Sequence, residues 1–332
     1  MTRAGLGIVG LNNQGMEHLL ACRDSQHWHL AALCDQDEEI LARALSDADP
    51  ETLGYTDLTA MLRNPRVDAV VIALPHALHS WAVALCASAG KHILKEKPLG
   101  RSMSESHAIL DLANEGGVVL YTGVQRRHHG TYEALQQWLQ TEPAPHSVAL
   151  AMTVVPRADS DADGVSWRNN AHSSGGGAFI DLGYHAVDLL HFLLGPIEAI
   201  SCVTFRDGRP CNIHVAEDSA RVWARTGSTW IRMETGRSHS KTESLVLQWP
   251  DGRSIAADRE RVTLNEGGHD TLLFEADRAW TRTMVDQLDD FHARIAGAAQ
   301  GLADSHEEQG AVQRFIERCY AMQRIDGLAG AK

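Results

Sequence analysis

The sequence predicts two joined folds: an α/β domain with a parallel, doubly wound sheet over residues 1–124, and an α+β domain over residues 125–332 with an open, mostly antiparallel sheet flanked by helices. Three observations predict it. Short apolar runs alternate with helical patterns in the first part of the chain, a glycine turn follows the first of these runs, and from Ser147 the apolar period changes to two. At 332 residues, 44% of them hydrophobic, the chain can fill two cores.

The elements follow in order. An apolar run from Leu6 to Val9 ends in glycine, a helical pattern covers Glu17 to Cys22, and Leu30 to Cys34 is apolar again. Thr56 and Asp57 can cap a helix through Leu62, which Asn64-Pro65 stops. VDAVVIALP, Val67 to Pro75, is a continuous apolar strand of the kind buried on both faces. Ala77 to Ala89 reads as a helix ended by Gly90, and HILKEKP carries the next strand. Ser102 with Glu105 forms a capping box ahead of another helix, and Val118 to Thr122 closes the series. Parallel sheets of this kind bind ligands beyond the carboxyl ends of their strands, where every motif of this half falls.

In the second half SVALAMTVV, AISCVTF, SARVWART, STWIRMET, ESLVLQW and the stretch from Arg261 to Leu264 alternate apolar and polar residues. Trp249-Pro250-Asp251-Gly252 and Asn265-Glu266-Gly267-Gly268 are strong turns between them. Two helices close the chain, from Trp280 to Ile295 and from a cap at Ser305 and Glu308 through Arg324. The domain boundary is expected between Gly123 and Gly130.

A net charge of −13 argues against nonspecific attraction to nucleic acid or anionic membrane. No run approaches the ~18 apolar residues that span a bilayer. The start MTRAGLGIVG lacks the pattern of a signal peptide, and six scattered cysteines without a CxxC pair fit reduced thiols. A cytoplasmic protein is expected, with no metal site, because neither the cysteines nor the histidines show ligand spacing.

GIVGLNNQG, ahead of a helix, fits the turn of a dinucleotide-binding Rossmann domain, with Gly10, Asn12 and Gly15 at its three glycine positions; an ordinary glycine loop is the alternative. Amides at Asn13, Gln14 and Gly15 then face a diphosphate. Asn12 keeps the turn possible because asparagine tolerates left-handed backbone. Asp35 ends the second strand, from which a carboxylate accepts ribose hydroxyls and repels a 2′-phosphate, so NAD is favoured over NADP. The same side chain can instead cap the helix DEEILARAL, and both roles stay open.

Lys97 follows the strand before Pro98, which pushes it towards an extended conformation at the crevice; a solvated surface lysine is the alternative. AGKHILKEKPLG, preceded by ALPHALHSWA and followed by GGGAFIDLGYHAVDLLHFLLG, resembles the glucose-fructose oxidoreductase / inositol dehydrogenase / MocA (Gfo/Idh/MocA) family along essentially the whole chain. The resemblance implies that Lys97 is catalytic, close to nicotinamide and substrate. It implies cofactor contacts from Leu74, Pro75, His79 and Glu96, with Gln125 after the sixth strand placed beside them. It also implies homodimers or homotetramers formed through the C-terminal sheet.

In GGGAFIDLGYHAVDLL, Asp181, His185 and Asp188 would share a helix face. A histidine oriented by a carboxylate suits proton exchange, although a core histidine with a capping aspartate fits the spacing equally. The resemblance makes Asp181 and His185 a catalytic pair and leaves Asp188 structural. Arg126, Arg127 and His128 after the sixth strand, and Trp167, Arg168 and His172 before the glycines, should border the crevice, where they can bind substrate; a solvated basic loop is the alternative. The expected function is hydride transfer between NAD(P) and a secondary hydroxyl of a sugar, cyclitol or sugar derivative. The alternatives are an NAD-dependent glycosidase acting by transient oxidation and elimination, and a noncatalytic dinucleotide-binding regulator.

Overall fold

The structure, a computed structural model, describes residues 3–155, 166–212, 214–238, 240–276, 280–298 and 306–323. The chain packs as two units: residues 1–128 with 278–309, and residues 129–277 with 310–332.

The first unit opens with β1 (Ala4–Val9), α1 (Asn13–Asp24), β2 (Trp28–Cys34), α2 (Glu38–Ser46), β3 (Leu53–Tyr55) and α3 (Leu58–Leu62). It continues with β4 (Ala69–Ile72), α4 (His79–Ser88), β5 (His92–Glu96), α5 (Met103–Glu115) and β6 (Leu120–Gly123). The sheet runs β3-β2-β1-β4-β5-β6, and every neighbouring pair is parallel. The order turns back on itself between β1 and β4, so the loops after these two strands flank the switch point where such sheets take ligands. All four residues of β4 are buried, as a strand covered on both faces requires. Short polar side chains start the helices: Asp37 accepts from the amides of Glu39 and Ile40, Asp57 from Thr59, and Ser102 from Glu105. The Glu105 carboxylate turns to Arg101, whose amide it accepts at 2.7 Å, so the expected capping box is displaced by one residue.

The second unit contains α6 (Gly130–Leu139), β7 (Ser147–Val154), α7 (Ala171–Ser174) and α8 (Tyr184–Leu194). Then follow β8 (Glu198–Arg206), β9 (Arg209–Cys211), β10 (Ser219–Thr226), β11 (Thr229–Arg237), β12 (Thr242–Gln248), β13 (Ser254–Ala257), β14 (Arg261–Glu266) and β15 (His269–Glu275). Among the described residues the sheet runs β15-β14-β13-β12-β7-β11-β10-β8-β9, antiparallel except for the parallel pair β7 and β11. The fold class is as expected. Three of these strands escape the period-two pattern: β9 is three residues long, β13 is the small-residue segment SIAA, and β15 is an edge strand whose residues are nearly all exposed. In the first sheet, β3 is likewise a three-residue edge strand that the apolar runs do not reveal.

The last two helices among the described residues are α9 (Trp280–Ile295) and α10 (His306–Met322). The expected cap Ser305 and the expected end Arg324 lie outside the described residues. A single cut after residue 124 places α9 in the second domain, whereas α9 packs in the first unit. Its Met284, Val285, Leu288 and Phe291 join the core of Leu6, Ile8, Leu19, Trp28 and Leu33. The Trp28 indole donates to the Leu288 carbonyl at 2.9 Å and its ring stacks on Phe291. Burying each such large apolar side chain is worth about 1.5–3 kcal/mol. That is sufficient reason for the helix to return.

Candidate active site

The glycine turn is built for close approach. Gly10 has φ +86°, and a Cβ there would lie 2.5 Å from the Ala73 carbonyl oxygen. A Cβ on Gly15 would collide with the carbonyl oxygen of Gly10. Asn12 sits between them with φ −73° and ψ −171°, ordinary extended backbone, so no left-handed conformation has to be tolerated. The reason expected for its acceptance is therefore replaced by a simpler one: the middle position does not need glycine's freedom. The Asn12 side chain is exposed and does not cap α1, and no acidic residue occupies the first turn. The helix start, with Asn13, Gln14 and Gly15, keeps a favourable potential for a diphosphate, and this donor set fits a dinucleotide.

Asp35 is held on both oxygens. Oδ2 accepts from the Leu11 amide at 2.8 Å and Oδ1 from the Asp37 amide at 3.0 Å. It does not cap α2, whose cap is Asp37. Asp35 thus ties the end of β2 to the glycine turn, and a carboxylate with two acceptor sites used retains others for ribose hydroxyls.

The loop after β5 is fastened by a residue the sequence did not single out. Lys95, fully buried, donates from Nζ to the Glu96 carbonyl at 3.0 Å and to the Pro98 carbonyl. These two acceptors flank Lys97, which is half-buried and precedes Pro98 through a cis peptide bond. Glu96, expected at the cofactor, places Oε1 2.8 Å from Nε2 of the buried His18 on α1. Across the sheet Gly123 leaves room for this carboxylate. Leu74 and Pro75 lead from β4 into a short helical turn at His76–Leu78. The His79 ring beneath them is buried, with Nε2 2.9 Å from the Leu74 carbonyl. A carbonyl only accepts, so Nε2 carries the proton. Burial pushes His79 well below its ordinary value, and the charges of Lys95 and His76 add to this. Its placement is that of a neutral strut for the loop.

Gln125, Arg126, Arg127 and His128 form a helical turn after β6, and all four are buried. Arg127 pairs with Glu308 at 2.6 Å, and the Arg126 guanidinium lies over Trp280. His128 Nε2 is 2.9 Å from the Tyr121 hydroxyl, which in turn donates to Asp290 at 3.0 Å. Burial lowers His128 despite the neighbouring Asp290 and Asp286. Arg127 and His128 are thus held by side chains of the first unit. Glu308, the partner of Arg127, lies on α10, and Asp290, which accepts from the Tyr121 hydroxyl beside His128, lies on α9.

In the second unit, Phe179–Gly183 forms a π turn that runs into α8. Single π turns inside helices are rare and concentrate at functional sites. Asp181 stands on this turn, with His185 and Asp188 on the following α-helical turns. His185 and Asp188 share one face, as expected, while the wider turn shifts the phase at Asp181. The Asp181 carboxylate meets Arg168 at 3.5 Å, and the Arg168 guanidinium stacks 4.5 Å from the Trp167 ring. Trp167, Arg168 and Asp181 are thus brought together, a grouping the sequence reading did not foresee, since it paired Asp181 with His185. Arg237, which sequence reasoning missed, donates to the Arg168 carbonyl at 3.3 Å and to Asn169 at 2.9 Å. His172 is exposed on α7.

Comparisons with known proteins agree with this architecture. Residues 4–124 match the model of an oxidoreductase family with an NAD-binding Rossmann fold, and residues 146–248 match the GFO/IDH/MocA C-terminal domain. A dTDP-3,4-didehydro-2,6-dideoxy-alpha-D-glucose 3-reductase of Streptomyces violaceoruber is 33% identical over 96% of this chain and 94% of its own. D-xylose 1-dehydrogenase (NADP(+)) 2 of Haloferax volcanii is 26% identical over 95% of both chains. Among solved structures, a levoglucosan dehydrogenase in complex with NADH and levoglucosan superposes with a TM-score of 0.82 over 97% of this chain and 98% of its own, at 19% identity. With both halves matched and a relative of this similarity along its length, the chain belongs to the Gfo/Idh/MocA family of NAD(P)-dependent oxidoreductases.

Proposed function

We propose that the protein moves a hydride between NAD and a secondary hydroxyl carbon of a sugar, cyclitol or sugar derivative. The observation that carries this reading is the retention, in a chain of this family, of Lys97 on its braced loop together with Asp181 and His185 on the π turn and α8. Gly10, Asn13, Gln14, Gly15 and Asp35 would hold the dinucleotide, with Leu74, Pro75, Glu96 and Gln125 around it. Bound NAD supplies the hydride acceptor. His185 takes the hydroxyl proton in oxidation and returns it in reduction, and Asp181 holds the ring in the orientation that makes this possible. The Lys97 ammonium stabilises the negative charge that develops on the oxygen. Trp167 and Arg168, beside Asp181, supply an apolar face and a forked donor to a hydroxyl-rich ring.

NAD is preferred over NADP because the Asp35 carboxylate, held by two amides, cannot swing away from an added 2′-phosphate. The relatives support both cofactors, one of them being named for NADP(+). The outward face of the second sheet, with exposed Trp223, Trp230, Ile200 and Val203, supports association of two or four copies. A cytoplasmic location agrees with six free cysteines. The test is NAD and NADP binding, followed by NADH absorbance over a panel of sugars and polyols. Net NADH accumulation with at least one of them is expected; bond cleavage without net NADH would replace oxidation by a transient redox cycle, and binding with neither outcome would leave a regulator.

A further inference from the structure

We propose that Glu217 and Tyr320 are positioning residues for the substrate chemistry, which together cap the helix carrying Asp181 and His185 and hold the π turn at its start. The proposal rests on the reading that Asp181 and His185 act on substrate. Neither residue lies in a recognisable motif, and Tyr320 is 140 residues from Ile180, whose amide it accepts.

A helix leaves its first amides without internal partners, and these must be met when the end is buried. Here the lead-in is Gly175-Gly176-Gly177-Ala178, and Ala178 offers no side-chain acceptor. Each amide is nevertheless satisfied. Ala178 N donates to the Glu217 carbonyl at 2.8 Å, Phe179 N to Glu217 Oε1 at 2.8 Å, Ile180 N to the Tyr320 hydroxyl at 3.2 Å, and Asp181 N to the Gly177 carbonyl at 3.2 Å. The Tyr320 hydroxyl in turn donates to Glu217 Oε1 at 2.8 Å, closing the set. One carboxylate and one phenol replace the local cap, and they tie the helix start to α10 and to the segment before β10.

The glycines of the motif acquire a reason from the same contacts. A Cβ on Gly177 would run into the backbone of Glu217, and one on Gly176, at φ +153°, into the Tyr320 hydroxyl. The glycine run therefore makes room for this pair. Residue 178 is itself in helical backbone, φ −62° and ψ −27°, which does not suit a side-chain cap from that position. The arrangement in place is costly. Glu217 is about 1% exposed and its Oε2 has no hydrogen-bond partner, a burden of the kind native cores seldom carry without a functional return. Burial raises the carboxyl of Glu217 and the hydroxyl of Tyr320 above their ordinary values. What the pair delivers is a fixed backbone at residues 178–181, from which the direction of the Asp181 carboxylate follows.

The test uses the full chain with NAD. Tyr320→Phe keeps the ring and removes the hydroxyl that links Ile180 N to Glu217. Amide exchange at Phe179 and Ile180 should quicken about tenfold, as for loss of one buried hydrogen bond. Turnover should fall by a similar factor while NAD affinity stays within about twofold. Glu217→Gln, which keeps an oxygen acceptor, should retain most turnover, whereas Glu217→Leu should not. Unchanged exchange in Tyr320→Phe, or faster exchange with full turnover at a temperature where the variant is folded, overturns the proposal. His185→Asn is assayed alongside. Full turnover in that variant would defeat the reading of His185 as proton acceptor, and the exchange result would still decide whether Tyr320 holds the turn.

Discussion

The Nζ of Lys95 donates to the backbone carbonyl of Glu96 at 3.0 Å, so a lysine without solvent exposure braces the loop that presents its neighbour Lys97. The two lysines of LKEKP divide the work, one buried and structural, the other half-buried at the end of the strand.

Lys95→Met should separate bracing from binding. The side chain keeps its length but leaves the Glu96 and Pro98 carbonyls without this donor, at a cost of about 1–3 kcal/mol in stability. Turnover should fall at least about tenfold through displacement of Lys97, while NAD affinity changes much less. Thermal unfolding and steady-state kinetics on the folded variant check both parts; wild-type turnover would show that the brace does not matter to Lys97.

Asp35→Ala should weaken NAD and narrow the preference between cofactors. Two backbone amides lose their acceptor, and the ribose loses its own. A loss of about 1–3 kcal/mol in NAD binding is expected, with NADP affected less. Calorimetric titration with both nucleotides measures this. Equal losses for the two would assign Asp35 a purely structural role.

At the glycine turn, two substitutions should behave oppositely. Gly15→Ala places a methyl against the Gly10 carbonyl and should abolish tight NAD binding. Asn12→Gly changes a residue already in extended backbone with an exposed side chain, so NAD affinity should remain within about threefold. Severe loss in Asn12→Gly would mean that the asparagine amide itself holds the diphosphate.

His79 should make the protein sensitive to mild acid. Its folded value is pushed below the ordinary 6.5, so below that pH the unfolded chain takes up a proton that the folded chain refuses. Stability from this group is present above pH 6.5 and is lost as pH falls below it. His79→Gln retains a donor for the Leu74 carbonyl without a titrating ring. Chemical denaturation between neutral and mildly acidic pH should show a shallower decline for the variant, and parallel curves would contradict the assignment.

The glycine turn and the strands around it were legible in the sequence, for definable reasons. Gly10, Gly15 and Asp35 sit at offsets fixed by the turn they build, and the continuous apolar run of β4 declares a strand buried on both faces. The burial of Arg127 and His128 was not legible, because Glu308, the partner of Arg127, and Asp290, the partner of Tyr121 beside His128, arrive on helices whose amphipathic pattern does not say which sheet they cover. His18, Lys95, Glu217 and Tyr320 were missed for a related reason. Each makes hydrogen bonds to backbone groups or to a side chain elsewhere in the chain, and such pairings carry no periodicity. The conformation of Asn12 shows a different limit: the pattern identified the position correctly, while the backbone angle behind it was open until the turn was seen.

The most direct measurement is NADH formation by wild type, Lys97→Ala and His185→Asn, each saturated with NAD and offered the sugar or polyol that the wild type oxidises. Both variants should bind NAD as the wild type does and lose about 10²-fold or more in turnover, the loss expected when a proton acceptor or an oxyanion stabiliser is removed. Turnover close to wild type in either variant would contradict the assignment of hydride-transfer chemistry to these residues.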